Sequence, residues 1–227
     1  MANKKPKGSI MVICAHSDDQ IIGAGGAMAK YAKEGYNVHT VIFSFGENVK
    51  PHMKREVITR MRVQESQRAD RIVGGSGVHF LGLREMHFEE DFSGGSEEAL
   101  NSLIRKFKPD KIFTHSNDDA HPDHRAVLRI ALKVYKRLSL SCELYTFEVW
   151  HLFNIKKRNK PRLVVDISGV FQKKVEALKA FKSQIKLSNF YNYLVLNNFF
   201  FFVIHIKDFI NGMKYGFRYA EVFYKLR

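Results

Sequence analysis

Two short polar clusters contain histidines and carboxylates at spacings that suit a divalent metal ion. His16 and Asp19 are three residues apart in the first cluster, and His121 and His124 are three residues apart in the second. Two imidazoles and a carboxylate leave a fourth coordination position open for water, as catalytic zinc sites do. Asp18 would then remain beside the metal as a candidate general base. The two clusters therefore predict a metal centre that activates water.

Each cluster follows a predicted buried strand. The apolar run Ile10–Ala15 ends directly before His16, and the run Lys111–Thr114 ends before the loop that leads to His121. Pro122 suits the first position of a helix. In a parallel sheet of the common order 3-2-1-4-5, the first and fourth strands are neighbours at the topological switch point, where ligands bind. We therefore expect the two clusters to face each other.

Short apolar runs alternate with longer segments of helical periodicity along the whole chain. The predicted strands are Ile10–Ala15, Val38–Phe45, Val78–Leu81, Lys111–Thr114, Leu144–Val149, Leu163–Ile167 and Tyr219–Tyr224. The predicted helices cover about 21–34, 53–73, 96–107, 123–138 and 169–184, and the segment from about 185 to Gly212 is a candidate helix that the pattern leaves open. Repeated strand–helix units predict an α/β fold, with a mostly parallel sheet covered by helices on both faces. No repeat or linker divides residues 1–227, so a single domain is expected.

Simpler roles are available for the single residues of the clusters. Asp18 and Asp19 could only cap a helix and interact with its dipole, and a lone histidine is more often structural. Asp118 and Asp119 are more typical of a loop than of a ligand pair. The occurrence of two such clusters behind strands of one sheet favours the metal site over these explanations.

A glycine-rich stretch in the first helix suggests a rival function. Gly23, Gly25 and Gly26 approach the dinucleotide-binding fingerprint, but the third glycine of that fingerprint would fall at Met28. The stretch also begins well after the first strand has ended. We therefore interpret these glycines as positions of close helix–sheet packing.

The motifs resemble those of the PIG-L/LmbE-like zinc-dependent de-N-acetylases. Residues 15–20, Ala-His-Ser-Asp-Asp-Gln, are similar to the family motif Ala-His-Pro-Asp-Asp-Glu, and residues 121–124, His-Pro-Asp-His, match its second motif. Weaker similarities occur at Arg62 and Glu65 and at residues 80–82, 148–151, 165–167, 182–184 and 219–223. The resemblance covers most of the chain. It implies a Rossmann-like three-layer fold and hydrolysis of an N-acetyl group from an N-acetylglucosaminyl compound of the chitooligosaccharide or inositol type.

The resemblance also implies roles for individual residues. Carried over position by position, it assigns Zn²⁺, or another divalent metal, to His16, Asp19 and His124. Asp18 would be the general base. His121 would stabilise the oxyanion or protonate the leaving amine.

Three further positions affect how this activity is interpreted. Arg62 is a candidate for binding a substrate hydroxyl or phosphate, with a surface ion pair to Glu65 as the alternative. Ser17 replaces the proline of the family motif, and Gln20 replaces its glutamate. The proposed ligands and base are all present, so an active enzyme is expected, with a weakened one as the alternative.

The basic charge of the chain lies mostly in its last third. The 227 residues contain 37 Lys and Arg against 23 Asp and Glu, a net charge of +14, of which residues 151–227 contribute +11. A dense basic cluster occupies residues 156–162. This excess favours an anionic or lipid aglycone on an N-acetylated amino-sugar substrate. The alternative is a non-catalytic or weakly active member whose basic surface binds an anionic membrane or nucleic acid.

Composition and apolar runs limit the compartment and the partners. An apolar content of 45% with two cysteines excludes a disordered chain and a disulfide scaffold. The run at 10–15 is short for a signal peptide, and Tyr193–Ile206 is too short and too polar to span a bilayer. A cytoplasmic location is expected, with peripheral membrane contact or a homo-oligomer as open alternatives and no nucleic acid as partner.

Overall fold

A seven-stranded, mostly parallel sheet forms the centre of the fold within residues 5–46, 54–149, 161–185 and 190–227, which the computed structural model describes. The strands are β1 (Ser9–Cys14), β2 (Asn37–Ile42), β3 (Gly77–Phe80), β4 (Lys111–His115), β5 (Glu143–Phe147), β6 (Arg162–Asp166) and β7 (Ala220–Lys225). Their order across the sheet is β3-β2-β1-β4-β5-β7-β6. The first five strands therefore follow the common order on which the expectation for the two clusters depends.

Helices connect the strands and cover both faces of the sheet. They are α1 (Asp19–Lys33), α2 (Arg55–Val73), α3 (Phe88–Asp91), α4 (Gly95–Phe107), α5 (Pro122–Arg137), α6 (Phe171–Leu178), α7 (Lys182–Ile185) and α8 (Phe190–Lys214). The prediction of one continuous helix over 169–184 is wrong. A turn at 179–181 separates α6 from α7, and two of its residues, Ala180 and Phe181, are buried, so the apolar pattern continues across the break.

The last strand of the chain, β7, lies inside the sheet between β5 and β6 and is not the edge strand. β7 pairs antiparallel with β5, with Tyr145 opposite Lys225, and also antiparallel with β6. By contrast, β1 is parallel to both of its neighbours, β2 and β4. Because β1 and β4 are adjacent, the sheet has its switch point between them, and their carboxyl ends open into one crevice.

Alternate side chains of β1 face two separate cores, as expected for a strand that is buried on both faces. Ile10, Val12 and Cys14 pack in the core beneath α1 and α6. Met11 and Ile13 pack in the core beneath α4 and α5. These two cores confirm the predicted three-layer, Rossmann-like α/β arrangement.

The glycines of α1 allow that helix to lie very close to the sheet. A Cβ atom added at Gly23 would lie 2.2 Å from the ring of Phe147, and one added at Gly26 would lie 2.7 Å from the side chain of Ile167. The packing interpretation of these glycines is therefore confirmed.

A buried ion cluster joins α1 to the last strand. The Glu221 carboxylate accepts hydrogen bonds from the backbone N–H groups of Gly26 (2.9 Å) and Ala27 (2.7 Å). The same carboxylate lies 2.7 Å from the Lys174 ammonium, which also binds Asp208 at 2.6 Å. α1, α6, α8 and β7 thus meet at one set of paired charges.

Two features of the C-terminal third bear on membrane contact. The aromatic segment Tyr193–Ile206 falls within α8. Among the residues that the structure describes, no helix is long and apolar enough to cross a membrane. Most of the basic cluster at 156–162, namely Lys156, Lys157, Arg158 and Lys160, lies outside the described residues.

Candidate metal centre

The two polar clusters meet at the carboxyl ends of β1 and β4, as predicted. His16 lies in the turn between β1 and α1, and Asp19 is the first residue of α1. His121 is the N-cap of α5, where its Nδ1 accepts the backbone N–H of Asp123 at 3.2 Å. His124 lies in the first turn of the same helix and is fully buried.

One carboxylate oxygen occupies the middle of the cluster. Asp19 Oδ2 lies 3.4 Å from His16 Nδ1 and 3.3 Å from His124 Nε2. It also accepts the backbone N–H of His16 at 2.8 Å. Zinc bonds of about 2.0–2.1 Å in tetrahedral geometry separate neighbouring ligand atoms by about 3.3 Å. Asp19 Oδ2 is therefore spaced from each nitrogen as two ligands of one ion would be, and one ligand atom from each of the three residues lies within 4.8 Å of the others.

The outer nitrogens of the two imidazoles each contact a further carboxylate. His16 Nε2 lies 3.0 Å from Asp123 Oδ2, and His124 Nδ1 lies 3.0 Å from Asp119 Oδ1. Carboxylates in this position fix the tautomer and orientation of metal-binding imidazoles. Both ring nitrogens of His124 are buried, and within the described ranges neither meets the geometry of a hydrogen bond, so its contacts with Asp19 and Asp119 are charge contacts. This donor set therefore fits a zinc ion, with both inner nitrogens directed at Asp19.

A third imidazole supports the centre from beneath. His115 Nε2 accepts the backbone N–H of Ala15 at 3.0 Å, and the His115 ring stacks on His124 with centroids 3.9 Å apart. Burial and the nearby charge of His124 lower the pKa of His115 to about 4. His115 thus accepts the N–H of the turn that carries His16 and stacks on His124, and its Nε2 also lies 3.4 Å from Asp19 Oδ2.

The electrostatics of the cluster favour a cation between its carboxylates. Burial lowers the pKa of His16, but the hydrogen bond with Asp123 and the carboxylate of Asp19 outweigh this effect and raise the pKa to about 10. Burial likewise lowers the pKa of His124, and Asp19 and Asp119 raise it to about 9. Burial raises the pKa of Asp19, yet His124 and His115 bring it well below its ordinary value. The position thus attracts positive charge, whether a proton or a metal ion.

Asp18 has the electrostatic character of a general base. Burial, followed by the adjacent charge of Asp19, raises its pKa, while Arg62 and His16 oppose that shift. A raised carboxyl pKa brings the group closer to the range in which it accepts and returns a proton near neutrality.

His121 presents one nitrogen to the crevice. Its Nδ1 accepts the N–H of Asp123, so in the neutral tautomer the proton resides on Nε2. Its ring centroid lies 4.9 Å from that of His16 and 4.8 Å from that of His124. Burial and the charges of those two histidines lower the pKa of His121. His121 can therefore act as a neutral hydrogen-bond donor.

Arg62 is buried, with 1% of its surface exposed, so the predicted alternative of a surface ion pair is wrong. Glu65 instead accepts hydrogen bonds from the backbone N–H of Ser183 (2.7 Å) and from its hydroxyl (2.5 Å). Arg62 packs against Gly46, in the loop after β2, and its Nε and Nη1 have no hydrogen-bond partner in the described part of the chain. Its charge acts on Asp18.

The two departures from the family motif are accommodated within the turn. The Gln20 amide donates to the Ser17 carbonyl at 3.1 Å, and the Ser66 hydroxyl donates to the same oxygen at 3.1 Å. An ionised glutamate at position 20 has no proton to donate to that carbonyl. Gln20 thus supports the turn that carries His16 and Asp19.

The sequence interpretation missed the outer carboxylates. Asp119 lies in a loop, as expected, but it also holds His124. Its other contacts are with the backbone N–H groups of His121 (3.1 Å) and Val149 (3.0 Å). Asp123 is further held by the backbone N–H of Met86 at 2.9 Å. The only signal in the sequence was their closeness along the chain to a predicted site histidine, since Asp119 and Asp123 are each two residues from His121.

The fold and the donor set define an α/β protein with a candidate divalent-metal centre at the switch point of its sheet. The chain belongs to the PIG-L family, described as GlcNAc-PI de-N-acetylase, which matches residues 11–135. The match includes both polar clusters and confirms the resemblance inferred from the motifs.

Individual relatives carry different activities. A 4-oxalmesaconate hydratase from Pseudomonas putida is 28% identical over 211 residues, covering 84% of this chain and 80% of that protein. A probable N-acetyl-alpha-D-glucosaminyl L-malate deacetylase 2 from Bacillus cereus is 26% identical over 186 residues, covering 77% of this chain and 83% of that protein. The solved structure of N,N'-diacetylchitobiose deacetylase from Pyrococcus horikoshii matches with a TM-score of 0.74 at 20% identity, covering 96% of this chain and 83% of that protein. This structural likeness shows a shared fold.

Proposed function

We propose that this chain is a zinc-dependent N-deacetylase that hydrolyses the acetamide of an N-acetylglucosaminyl compound and releases acetate. The observation that carries the proposal is the arrangement around Asp19 Oδ2. Two imidazole nitrogens lie 3.3–3.4 Å from this oxygen, and the outer nitrogen of each ring is held by its own carboxylate. Membership of the PIG-L family supports the same reaction class.

His16, Asp19 and His124 would hold the metal ion. When bound, zinc supplies Lewis acidity that makes water easier to deprotonate and the acetyl carbonyl easier to attack. The outer contacts of His16 with Asp123 and of His124 with Asp119 keep the inner nitrogens directed at one point.

Asp18 and His121 would carry the proton movements and the charge stabilisation. Asp18 accepts a proton from the attacking water as the water oxygen bonds to the acetyl carbon. His121 donates its Nε2–H to the oxygen on which negative charge develops. The carbon–nitrogen bond then breaks, the proton passes to the leaving amine, and acetate and a free amino sugar result.

The substrate would carry an anionic group beyond the sugar. Arg62 is buried near Asp18 and has guanidinium nitrogens free of hydrogen bonds within the described residues, so it can bind a hydroxyl or an acidic group of the substrate. The Bacillus cereus relative is named for a malate glycoside, which is such a compound. The preference for an anionic aglycone stays a prediction, as do the cytoplasmic location and the oligomeric state.

A panel of acetylated sugars tests this function. Acetate release would be measured with N-acetylglucosamine, diacetylchitobiose, N-acetylglucosaminyl-inositol and N-acetylglucosaminyl-malate, before and after removal of metal by a chelator. We expect release from at least one glycoside, loss of release on chelation and recovery with Zn²⁺. A folded protein that binds no divalent metal and releases no acetate would contradict the proposal and favour the non-catalytic alternative.

A second candidate is the addition of water to an unsaturated carboxylic acid. The match with the relative named 4-oxalmesaconate hydratase includes 84% of this chain and 80% of that protein. The same base and metal could activate water toward a carbon–carbon double bond. Absorbance loss with 4-oxalmesaconate, measured beside acetate release, separates the two reactions: metal-dependent hydration without acetate release would replace the deacetylase proposal.

A further inference from the structure

The second half of α8 exposes large apolar side chains along one face. They are Phe202 (58% exposed), Phe209 (42%), Ile210 (46%), Met213 (64%) and, just after the helix, Phe217 (38%). In the rest of the described chain, the exposed large apolar side chains are Val57 and Met86, which stand apart from each other in sequence. Such a concentration on one surface marks a contact site.

The spacing of these residues produces a continuous stripe. Phe202, Phe209 and Met213 recur at intervals of seven and four, and Ile210 lies beside them, so an arc of about 100° is apolar. From Phe202 to Met213 the stripe is about 17 Å long at 1.5 Å per residue. An exposed apolar stripe of this kind, beside basic side chains, is a surface that can enter a membrane interface.

An apolar groove continues the stripe toward α6. It has a volume of about 330 Å³ and lies beside Phe202. Its walls include Phe171, Val175 and Leu178 of α6 and His205 of α8. The groove extends the exposed apolar surface beyond the helix.

The exposed charged side chains at the end of the stripe are basic, and the acidic ones nearby in sequence are buried. Both acidic residues of 202–227, Asp208 and Glu221, are buried at 2% and 3% exposure, and both bind the buried Lys174. Lys214 and Arg218 are exposed at the end of the stripe. The surface around the apolar residues therefore carries positive charge without exposed carboxylates from this segment.

We propose that this α8 face, formed by Phe202, Phe209, Ile210, Met213 and Phe217 with Lys214 and Arg218, docks onto an anionic lipid bilayer. The apolar side chains enter the acyl boundary while the two cations contact lipid phosphates.

Docking would place the bilayer next to the edge of the sheet that holds the metal centre. β7 runs antiparallel to β5, so the residues just before Ala220 lie beyond the carboxyl end of β5. The candidate ligands lie at the carboxyl ends of the parallel strands β1 and β4. Phe217 and Arg218 therefore lie at the same edge of the sheet as the site.

Sedimentation with vesicles tests the proposal directly, without depending on catalysis. The parent chain should partition onto phosphatidylcholine vesicles that contain phosphatidylserine, and less onto phosphatidylcholine alone. The variants Ile210→Ser/Met213→Ser and Lys214→Glu/Arg218→Glu should each reduce partitioning onto the anionic vesicles by at least about tenfold. Val57→Ser removes one exposed apolar side chain elsewhere and should leave partitioning unchanged.

Two results would overturn the proposal. One is a parent chain that stays in the supernatant with anionic vesicles. The other is full partitioning by both double variants while circular dichroism shows that they are folded. Size-exclusion chromatography with light scattering is measured in parallel. A parent oligomer that Ile210→Ser/Met213→Ser converts to monomer, without vesicle binding by the parent, would assign the face to a second copy instead.

Discussion

Asp119 and His124 form a fully buried carboxylate–imidazole pair, with Asp119 Oδ1 3.0 Å from His124 Nδ1 and neither side chain exposed to solvent. The two backbone N–H groups that donate to Asp119 fix its carboxylate in the loop after β4. This pair determines which nitrogen of His124 faces Asp19. The metal affinity of the centre should therefore depend on a residue that does not itself bind the metal.

Asp119→Asn should weaken zinc binding by about 10- to 100-fold, because a neutral amide oxygen accepts from the Nδ1–H of the ligand imidazole more weakly than a carboxylate does. Competition with a fluorescent zinc chelator measures the affinity. Asp110→Asn makes the same chemical change at the amino edge of the sheet, where Asp110 accepts the N–H of Ser9, and should bind zinc as the parent does. Equal affinity in the two variants would show that Asp119 does not position His124.

Asp18→Asn should retain zinc but lose most turnover. The amide is nearly isosteric with the carboxylate yet cannot accept a proton from water, which removes about 10²- to 10⁴-fold of rate. His124→Ala, which deletes a proposed ligand, should instead lose the metal. Bound zinc and acetate release would be measured on the same samples. A turnover number for Asp18→Asn close to the parental value would reject Asp18 as the base.

Gly23→Ala should destabilise the fold by about 1–3 kcal/mol or more, since the added methyl group must displace either α1 or the Phe147 ring. Urea unfolding followed by circular dichroism measures the change. Gly169→Ala is the matched control, because a Cβ atom there meets no heavy atom within 4 Å. If both alanine variants unfold at the same urea concentration, the close contact between α1 and Phe147 is absent in solution.

Lys174→Met should cost about 3–5 kcal/mol in the free energy of unfolding. The substitution leaves the carboxylates of Asp208 and Glu221 buried without their cation. Lys173→Met changes an exposed neighbour on the same helix and should have little effect. Urea unfolding of the two variants gives the comparison, and similar small effects would show that the Lys174 cluster contributes no net pairing energy.

His39→Phe should make the fold less sensitive to acid. Burial, followed by the charges of His79 and Lys106, lowers the pKa of His39 from 6.5 to about 4, and its ring stacks on Phe107. The unfolded chain binds this proton more readily than the folded chain. The contribution of His39 to stability is therefore complete above pH 6.5 and is lost as the pH falls from 6.5 toward 4.

Phenylalanine keeps the stacking and has no proton to bind, so the loss of unfolding free energy between about pH 7 and about pH 4.5 should shrink by about 1–2 kcal/mol. Urea unfolding of the parent and of His39→Phe at both pH values gives the two losses. Groups that titrate equally in both proteins contribute equally to both losses, so the difference between the losses reports His39. An unchanged loss in His39→Phe would contradict the prediction.

The sequence predicts most of the sheet because its signals are local. Short apolar runs such as Ile10–Ala15, each followed by helical periodicity, are sufficient to predict the strands of a mostly parallel sheet, and the common order of such sheets supplies the neighbours of β1 to β5. The placement of β7 between β5 and β6 is not local. Its residues have strand character, but their partners depend on packing between segments far apart in the chain.

The site was predictable to the level of its motifs and no further. His16, Asp19 and His124 stand in two recognisable clusters, and the structure brings them together. The roles of Asp119 and His115 depend on which ring nitrogen faces which neighbour, and the spacing of residues does not contain that information. The burial of Arg62 likewise follows from how α2 packs against the loop after β2.

The hydrogen bonds that the backbone N–H groups of Gly26 and Ala27 donate to the Glu221 carboxylate connect residues 195 and 194 positions apart. During synthesis, the helix that begins with Asp19 leaves the ribosome long before the carboxylate that receives these two N–H groups. α1 therefore reaches its final set of contacts only after translation has passed residue 221. A chain released before that point would contain every proposed metal ligand but lack the anchor of the helix that carries one of them.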